Sequence, residues 1–301
     1  MLNVQRLRVL REVLAQGSFS EAASSLNYTQ SAVSQAIATL EAEAGIPLLE
    51  RDRRGVRPTT AGERLNEHGV RILSQLDAAE AELGAIAGVE GGELRMASFP
   101  TAGATLMPLA IAAFRSAYPE VTLSLIEGEP EELTPRLRDG EFDLALIFEF
   151  DGTGGPGPGL RSTPLFEDPM KLALPKGHRL AGRNRIKLED LSSEAWVQTS
   201  EASACARHVV RICRAAGFEP RVSFESDDYL TVQGLVAAGV GVALIPELAL
   251  SQTVSYDTAV TELDPAPVRH VVAATRGAGV SLPAAAAMLD LLQDTARQYQ
   301  L

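Results

Sequence analysis

The apolar pattern of this 301-residue chain changes its period once, at the segment GVEGG (88–92). Before this segment, apolar residues recur at helical spacing, and after it, short apolar runs of strand length alternate with helical stretches. With 46% apolar residues, the chain is able to bury more than one core. The pattern therefore predicts an α/β protein in which a separate N-terminal domain precedes a mostly parallel sheet with helices on both faces.

Three short helices are predicted in the N-terminal part. An apolar stripe in residues 7–14 predicts the first helix, and Gly17 ends it. Ser20 is expected to cap the second helix, because its hydroxyl oxygen is able to accept from the free N–H groups of the first turn. Asn27 tolerates the left-handed conformation of a tight turn, and Thr29 is expected to cap the third helix.

The third helix presents a short, polar and uncharged face. Val33, Ile37 and Leu40 recur at core spacing, so the opposite face points away from the core. Such side chains suit base edges in a DNA major groove, although an ordinary solvated helix face has the same pattern. The residues of this face are Gln30, Ser31, Ser34 and Gln35.

An arginine cluster follows Leu49. Gly55 interrupts the cluster and Pro58-Thr59-Thr60 ends it, which predicts a short hairpin. A basic hairpin beside a recognition helix is a wing whose arginines lie along phosphates or in a narrowed minor groove, and a solvated charge run is the alternative. The cluster also explains how a chain of net charge −12 binds a polyanion, since the acidic excess lies mostly downstream. The arginines are Arg51, Arg53, Arg54 and Arg57.

A long helix with a heptad repeat is predicted from Ala61 onward. An apolar seam on a helix this long is covered best by a second copy of itself, which predicts a homodimer. Packing of the seam against its own chain is the alternative, and Gly69 weakens the seam. The seam residues are Leu65, Gly69, Ile72, Leu76, Ala79, Leu83 and Ile86.

The C-terminal sheet predicts a ligand site, because open α/β sheets bind ligands beyond the carboxyl ends of their strands. Thr101 and Ser200 precede predicted helices whose free N–H groups suit an anion, although helix capping explains both hydroxyls equally well. Four acidic residues oppose an anion, with no obvious arginine to balance them, so a hydroxylated, zwitterionic or cationic ligand is open. They are Glu127, Glu129, Asp227 and Asp228. The residues at the strand ends include Ser98, Pro100, Thr101, Ala102, Glu127, Phe148, Thr199 and Ser200.

Other classes of function lack their sequence signals. No nucleophile motif, phosphate-binding glycine loop or metal-ligand motif occurs, so no catalytic residue, metal site or cofactor is predicted. The N-terminus has no secretory signal, and no apolar stretch approaches the roughly 18 residues of a membrane span. A cytoplasmic protein without a membrane partner is expected.

In this order, the elements resemble those of the LysR-type transcription regulators along the whole chain. The most specific segment is GSFSEAASSLNYTQSAVSQAIATLEAEAGIPLLERDRRGVRPTTAG (17–62), and CRAAGFEPRV and LVAAGVGVALIPE are similar to the family's second lobe. The resemblance implies a winged helix-turn-helix DNA-binding domain (1–62) and a linker helix for dimerisation (63–90). It also implies a two-lobed, periplasmic-binding-protein-like effector domain (91–301), with lobe I at about 91–160 and 267–301 and lobe II at about 161–266.

The resemblance further implies partners and contacts. The partners are double-stranded promoter DNA, a small-molecule effector of unknown identity, RNA polymerase and other copies of the chain in a homotetramer of dimers. Family members often carry Arg at the position of Gln35 and Pro at that of Ser31, which predicts a different base preference here. The implied DNA contacts are Gln30, Ser31, Ser34, Gln35, Arg51, Arg53 and Arg54. The family adds Asp227, Asp228 and Pro246 to the effector contacts.

Two alternatives accompany this interpretation. Some relatives of the family switch through a cysteine pair, for which Cys205 and Cys213 are the candidates. Eight residues along one helix separate the two Cα atoms by about 12 Å, whereas a disulfide needs them within about 7 Å. A cytoplasmic solute-binding protein would account for the C-terminal half, but not for the N-terminal helices.

Overall fold

The two parts of the chain form separate packing units. A computed structural model describes residues 2–52, 55–86, 92–152, 155–250, 257–277 and 282–299. One unit comprises residues 1–90 with 138–141, and the other comprises residues 91–137 with 142–301. Each unit buries its own hydrophobic core.

The N-terminal unit contains the three predicted helices, the hairpin and the long helix. Asn27 adopts a left-handed φ of 54°, and Thr29 Oγ1 accepts a hydrogen bond from Ala32 N at 3.2 Å, as predicted. The expected cap at Ser20 is wrong, because the helix begins two residues earlier, at the buried Phe19, and Ser18 becomes the cap. The elements are α1 (Val4–Gln16), α2 (Phe19–Ser25), α3 (Gln30–Ala44), β1 (Leu49–Asp52), β2 (Gly55–Pro58) and α4 (Thr60–Ile86).

Helix α4 begins in close contact with the segment before the hairpin. Gly62 N donates to Thr59 Oγ1 at 3.0 Å in the first turn of the helix. A Cβ atom at Gly62 would lie 1.9 Å from the carbonyl oxygen of Leu48, so only glycine fits at this position. The close approach fixes the start of α4 against the base of the hairpin.

The predicted seam of α4 divides into two parts. Leu65 packs against the core of the N-terminal unit, and Gly69 lies against Leu7 of α1. Ile72 and Leu76 are exposed, by 44% and 38%. Ala79 and Leu83 are also exposed, and the side chain of Ile86 lies outside the described residues. The first part of the seam therefore serves the unit's own core, and the second part is an apolar stripe on the surface.

The C-terminal unit alternates strands and helices, as the sequence predicts. Among the described residues, no helix combines the length and apolarity that crossing a bilayer requires. The strands are β3 (Gly92–Ser98), β4 (Val121–Glu127), β5 (Leu144–Phe150), β6 (Leu160–Pro175), β7 (Arg185–Ile186), β8 (Ala195–Gln198), β9 (Arg221–Glu225), β10 (Ala243–Pro246), β11 (Thr258–Leu263) and β12 (Val268–Arg276). The helices are α5 (Pro100–Ala104), α6 (Leu106–Ala117), α7 (Pro130–Asp139), a 3-10 turn (Leu188–Leu191), α8 (Ala204–Ala215), α9 (Tyr229–Ala237), α10 (Glu247–Leu250) and α11 (Pro283–Tyr299).

The main sheet is mixed, which corrects the expectation of a mostly parallel one. Its order is β4-β3-β5-β12-β6-β11-β7, with β10 paired to β6, while β8 and β9 form a separate parallel pair. The pairs of β3 with β4 and β5 are parallel, but every pair that involves β6 or β12 is antiparallel. The reason is that β6 and β12 run side by side in opposite directions between the two lobes. Strand β12 pairs with β5, which lies within the predicted range of lobe I.

Candidate functional site

The exposed face of α3 carries the four side chains that the sequence singles out. Gln30, Ser31 and Gln35 are exposed and Ser34 is half-buried, while Val33, Ile37 and Leu40 on the other side are buried. The hydroxyl groups of Thr29 and Ser31 lie 3.0 Å apart at the start of the helix. The face therefore offers amide and hydroxyl groups that donate and accept hydrogen bonds, which is the chemistry that base edges require.

The predicted wing is an antiparallel hairpin. Strand β1 pairs with β2 from Leu49–Pro58 to Asp52–Gly55, and Val56 N donates to the Gly17 carbonyl at 3.1 Å. That bond joins the hairpin to the turn that ends α1. Arg57 is exposed on β2. Arg53, Arg54 and the side chain of Arg51 lie outside the described residues.

A small cavity lies between the lobes of the C-terminal unit. Its free volume of about 10 Å³ is room for one water, so the cleft is closed around it. Arg207 of α8 forms an ion pair with Glu131 of α7 and so joins the two lobes. Five of the predicted effector residues line the cavity, namely Pro100, Thr101, Phe148, Thr199 and Asp227. The other lining residues are Phe99, Glu129, Ser203, Cys205, Tyr229 and Arg269.

The remaining predicted effector residues do not line this cavity. Ser200 N donates to Asp227 Oδ1 at 2.8 Å, so Ser200 holds a lining carboxylate in place. Asp228 caps α9 by accepting from Leu230 N at 2.9 Å and Thr231 N at 3.3 Å. The residues outside the lining are Ser98, Ala102, Glu127, Ser200, Asp228 and Pro246.

Sequence reasoning missed the arginine at the centre of the cleft. Arg269 is 1% exposed, and its Nε donates to Asp168 Oδ2 at 2.7 Å while its Nη2 donates to Thr101 Oγ1 at 2.6 Å. The guanidinium carbon lies 4.9 Å and 4.8 Å from the ring centres of Phe99 and Phe148, within cation–π range. A charged residue within the apolar run of β12 was the one sequence signal for it, because a charge in a buried strand needs a partner.

The cleft also contains a carboxyl group that binds protons near neutral pH. Burial and the neighbouring Glu131 raise the pKa of Glu129 to about 7, although Arg269 opposes the shift. Asp227 and Glu127 act in the same direction as Glu131. Because Asp168 already balances the charge of Arg269, the cleft does not hold a free positive charge for a strongly anionic ligand.

The two cysteines lie on the same helix, as predicted. Cys205 and Cys213 are both buried residues of α8. Burial raises the pKa of the Cys205 thiol, and it raises that of Cys213 to about 12. Both groups are therefore protonated thiols at neutral pH, the form that reacts slowly with oxidants.

Two family profiles match the chain. Residues 4–63 match the bacterial regulatory helix-turn-helix protein, lysR family, and residues 87–297 match the LysR substrate binding domain. The chain belongs to the LysR family. LysR-family proteins are DNA-binding transcription regulators with an effector-binding domain, and this function holds for the chain.

Individual LysR relatives agree along the whole length. The probable HTH-type transcriptional regulator LrrA of Synechococcus elongatus is 33% identical over 99% of both chains. The hydrogen peroxide-inducible genes activator of Dickeya chrysanthemi is 30% identical over 83% of this chain and 81% of its own. The structure of full-length CbnR complexed with its target DNA matches 98% of this chain and 100% of that one, with a TM-score of 0.67 and 22% identity. The last comparison extends the shared fold to both units.

Proposed function

We propose that this LysR-family regulator binds promoter DNA with the exposed face of α3 in a major groove and with the wing arginines on the flanking phosphates. The observation that supports this is the division of α3 into a buried apolar face and an exposed face of amides and hydroxyls. An uncharged face of this kind distinguishes bases by hydrogen bonds, while the wing supplies affinity that does not depend on sequence.

The test uses a duplex from the protein's own promoter and measures binding by fluorescence anisotropy. Gln30→Ala is expected to weaken specific binding by about fivefold or more, since a bidentate contact to a base is worth about 1–3 kcal/mol. Gln5→Ala removes an equally exposed amide from α1 and serves as the matched control. Equal affinities of the two variants would contradict the assignment of α3 as the reading helix.

The apolar stripe of α4 supports a homodimer as the DNA-binding form. Ile72, Leu76 and Leu83 are exposed on one helix at coiled-coil spacing, and a second copy of the stripe covers them. Two such dimers are proposed to associate into a homotetramer. Leu76→Glu is expected to lower the molecular mass of the assembly in analytical ultracentrifugation, whereas the adjacent Gln75→Glu leaves it unchanged. A Leu76→Glu protein of unchanged mass would refute this dimer interface.

The inter-lobe cleft is the proposed effector site. Thr101, Glu129 and Asp227 face the cavity beside Arg269, whose charge Asp168 balances. Donors and carboxylates at one small cavity fit a hydroxylated or zwitterionic metabolite better than a dianion. Binding of such a ligand changes the closure of the lobes and, through the oligomer, the DNA contacts and the access of RNA polymerase to the promoter. A regulator of promoters acts in the cytoplasm, and no reaction is assigned to it.

Thermal shift of the full-length protein with a library of hydroxylated, zwitterionic and cationic metabolites tests this site. A compound that raises the wild-type midpoint is expected to have no effect on Thr101→Val, because the cleft hydroxyl is lost. Thr122→Val changes an exposed threonine of β4 and is expected to respond like the wild type. An equal response of Thr101→Val and wild type would exclude the cleft as the binding site.

A thiol switch is the second candidate, because one relative is named a hydrogen peroxide-inducible activator. The burial of Cys205 and Cys213 and the raised pKa of each thiol oppose it. After mild peroxide treatment, mass spectrometry is expected to find both thiols reduced. A bridge between residues 205 and 213 would favour the second candidate instead.

A further inference from the structure

A second, larger cavity lies outside the effector cleft. It is a groove of about 700 Å³ between α8, the 3-10 turn (Leu188–Leu191) and the segment that leads into β12. This volume is within the range of about 300–1,000 Å³ that small-molecule sites occupy. Apolar side chains form much of its wall, among them Leu188, Ile212, Leu263 and Val268. None of the residues that line the small cleft cavity lines this groove.

Two cations of the groove have no carboxylate within salt-bridge distance among the residues that the structure describes. They are Lys187, which is exposed, and Arg211 of α8. The guanidinium of Arg211 is nevertheless held, because Nη2 lies 2.9 Å from His208 Nδ1 and 3.4 Å from the Asp151 carbonyl oxygen. Arginine only donates, so His208 Nδ1 accepts and the imidazole is neutral. Burial and Arg211 lower the pKa of His208 to about 4, in agreement with that assignment.

Two carboxylates of the groove contact basic residues that lie outside it. Asp151 Oδ1 lies 3.0 Å from His270 Nε2, and Asp264 Oδ2 lies 3.8 Å from an Arg185 nitrogen. Glu189 is the groove carboxylate that has no cation partner among the described residues. Lys187 and Arg211 are therefore groove cations without an ion-pair partner among the described residues, and a ligand carboxylate would supply one.

We propose that this groove is a second ligand site that binds a small organic monocarboxylate with an apolar, preferably aromatic, body. The carboxylate would meet the fixed guanidinium of Arg211 and the mobile ammonium of Lys187, and the body would cover the apolar wall. The groove wall continues through Pro267 and Val268 into Arg269 of the cleft. Occupancy of the groove would thus act on the strand that supplies the cleft arginine, which makes the site a regulatory one.

The test titrates the full-length protein with benzoate and 1-naphthoate, and with benzamide and 1-naphthamide as uncharged equivalents, by isothermal titration calorimetry. At least one carboxylate is expected to bind at least tenfold more tightly than its amide. Arg211→Met and Lys187→Met are expected to weaken that binding tenfold or more. Arg214→Met and Lys176→Met remove one charge from α8 and one from the surface after β6, outside the groove, and are expected to stay within twofold of wild type.

The lysine variant keeps the test valid if Arg211→Met fails to fold, since Lys187 is exposed and has no described partner. Thr101→Val alters the cleft and is expected to leave carboxylate binding unchanged, which separates this site from the proposed effector site. The proposal is overturned if neither carboxylate binds. It is also overturned if binding survives Lys187→Met or disappears with Thr101→Val.

Discussion

Replacing Arg269 with methionine keeps most of the side-chain volume but removes a buried charge. The change deletes the 2.7 Å bond to Asp168 and the 2.6 Å bond to Thr101. Asp168 is then a carboxylate of 2% exposure whose one remaining donor among the described residues is Leu248 N at 3.1 Å. Removing one partner of a buried ion pair costs about 3–5 kcal/mol. In a domain of about 200 residues this corresponds to a fall of roughly 6–20 °C in the unfolding midpoint.

Differential scanning calorimetry of the full-length protein measures this fall in the transition of the C-terminal unit. The double variant Asp168→Leu/Arg269→Met removes both charges and is expected to recover much of the lost stability, because an apolar pair of similar volume replaces the ion pair. Arg214→Met breaks an exposed pair with Glu219 and is expected to leave the midpoint unchanged. The reasoning would be refuted if Arg269→Met lowered the free energy of unfolding by less than about 1 kcal/mol, or if the double variant were less stable than the single one.

Three further predictions concern charge and close packing. Gln35→Arg is expected to steepen the dependence of log Kd on log salt by about 0.9, and an unchanged slope in anisotropy titrations would show that position 35 does not approach a phosphate. Because the pKa of Glu129 is raised to about 7, the folded state binds its proton more tightly than the unfolded state, so this group's contribution to stability is full below about pH 4.5 and is lost as the pH rises through 7. Glu129→Gln is expected to remove this pH-dependent loss of stability, which is measured as the unfolding midpoint from pH 5 to 8. Parallel pH profiles of the variant and the wild type would contradict the raised pKa of Glu129. Gly62→Ala is expected to destabilise the N-terminal unit by about 1–3 kcal/mol, since the new Cβ would lie 1.9 Å from Leu48 O. Gly69→Ala meets only an ordinary 3.6 Å contact with Leu7, and equal chemical denaturation curves for the two alanine variants would oppose this packing argument.

The features predicted correctly from sequence are those that depend on local spacing. The apolar residues of α3 recur every three or four positions, and Asn27 and Thr29 act on their immediate neighbours, so the helix-turn-helix follows from short segments. The first half of β6 has no clear strand pattern in the sequence, because Pro164 and Pro169 interrupt it and its apolar residues do not form a continuous run.

The ion pair of Arg269 and Asp168 in the cleft could not be predicted from short segments of the sequence. Arg269 and Asp168 are 101 residues apart, and they meet because β12 and β6 pair in antiparallel register. The ends of the strands predicted Thr101, and the family resemblance added Asp227, but neither line of reasoning predicted the arginine. The cleft therefore holds an arginine, but Asp168 balances its charge, so the acidic residues at the strand ends keep their own charge unpaired by it.

The two parts of the α4 seam determine where a fragment that contains the DNA-binding domain has to end in order to fold. A fragment that stops at residue 62 would leave Leu7 without the cover of Gly69 and would remove Leu65 from the core. Such a fragment would expose apolar surface of α1 to water and aggregate or unfold, whatever its affinity for DNA. A fragment carried beyond Leu83 keeps that cover and retains the surface stripe through which two copies associate.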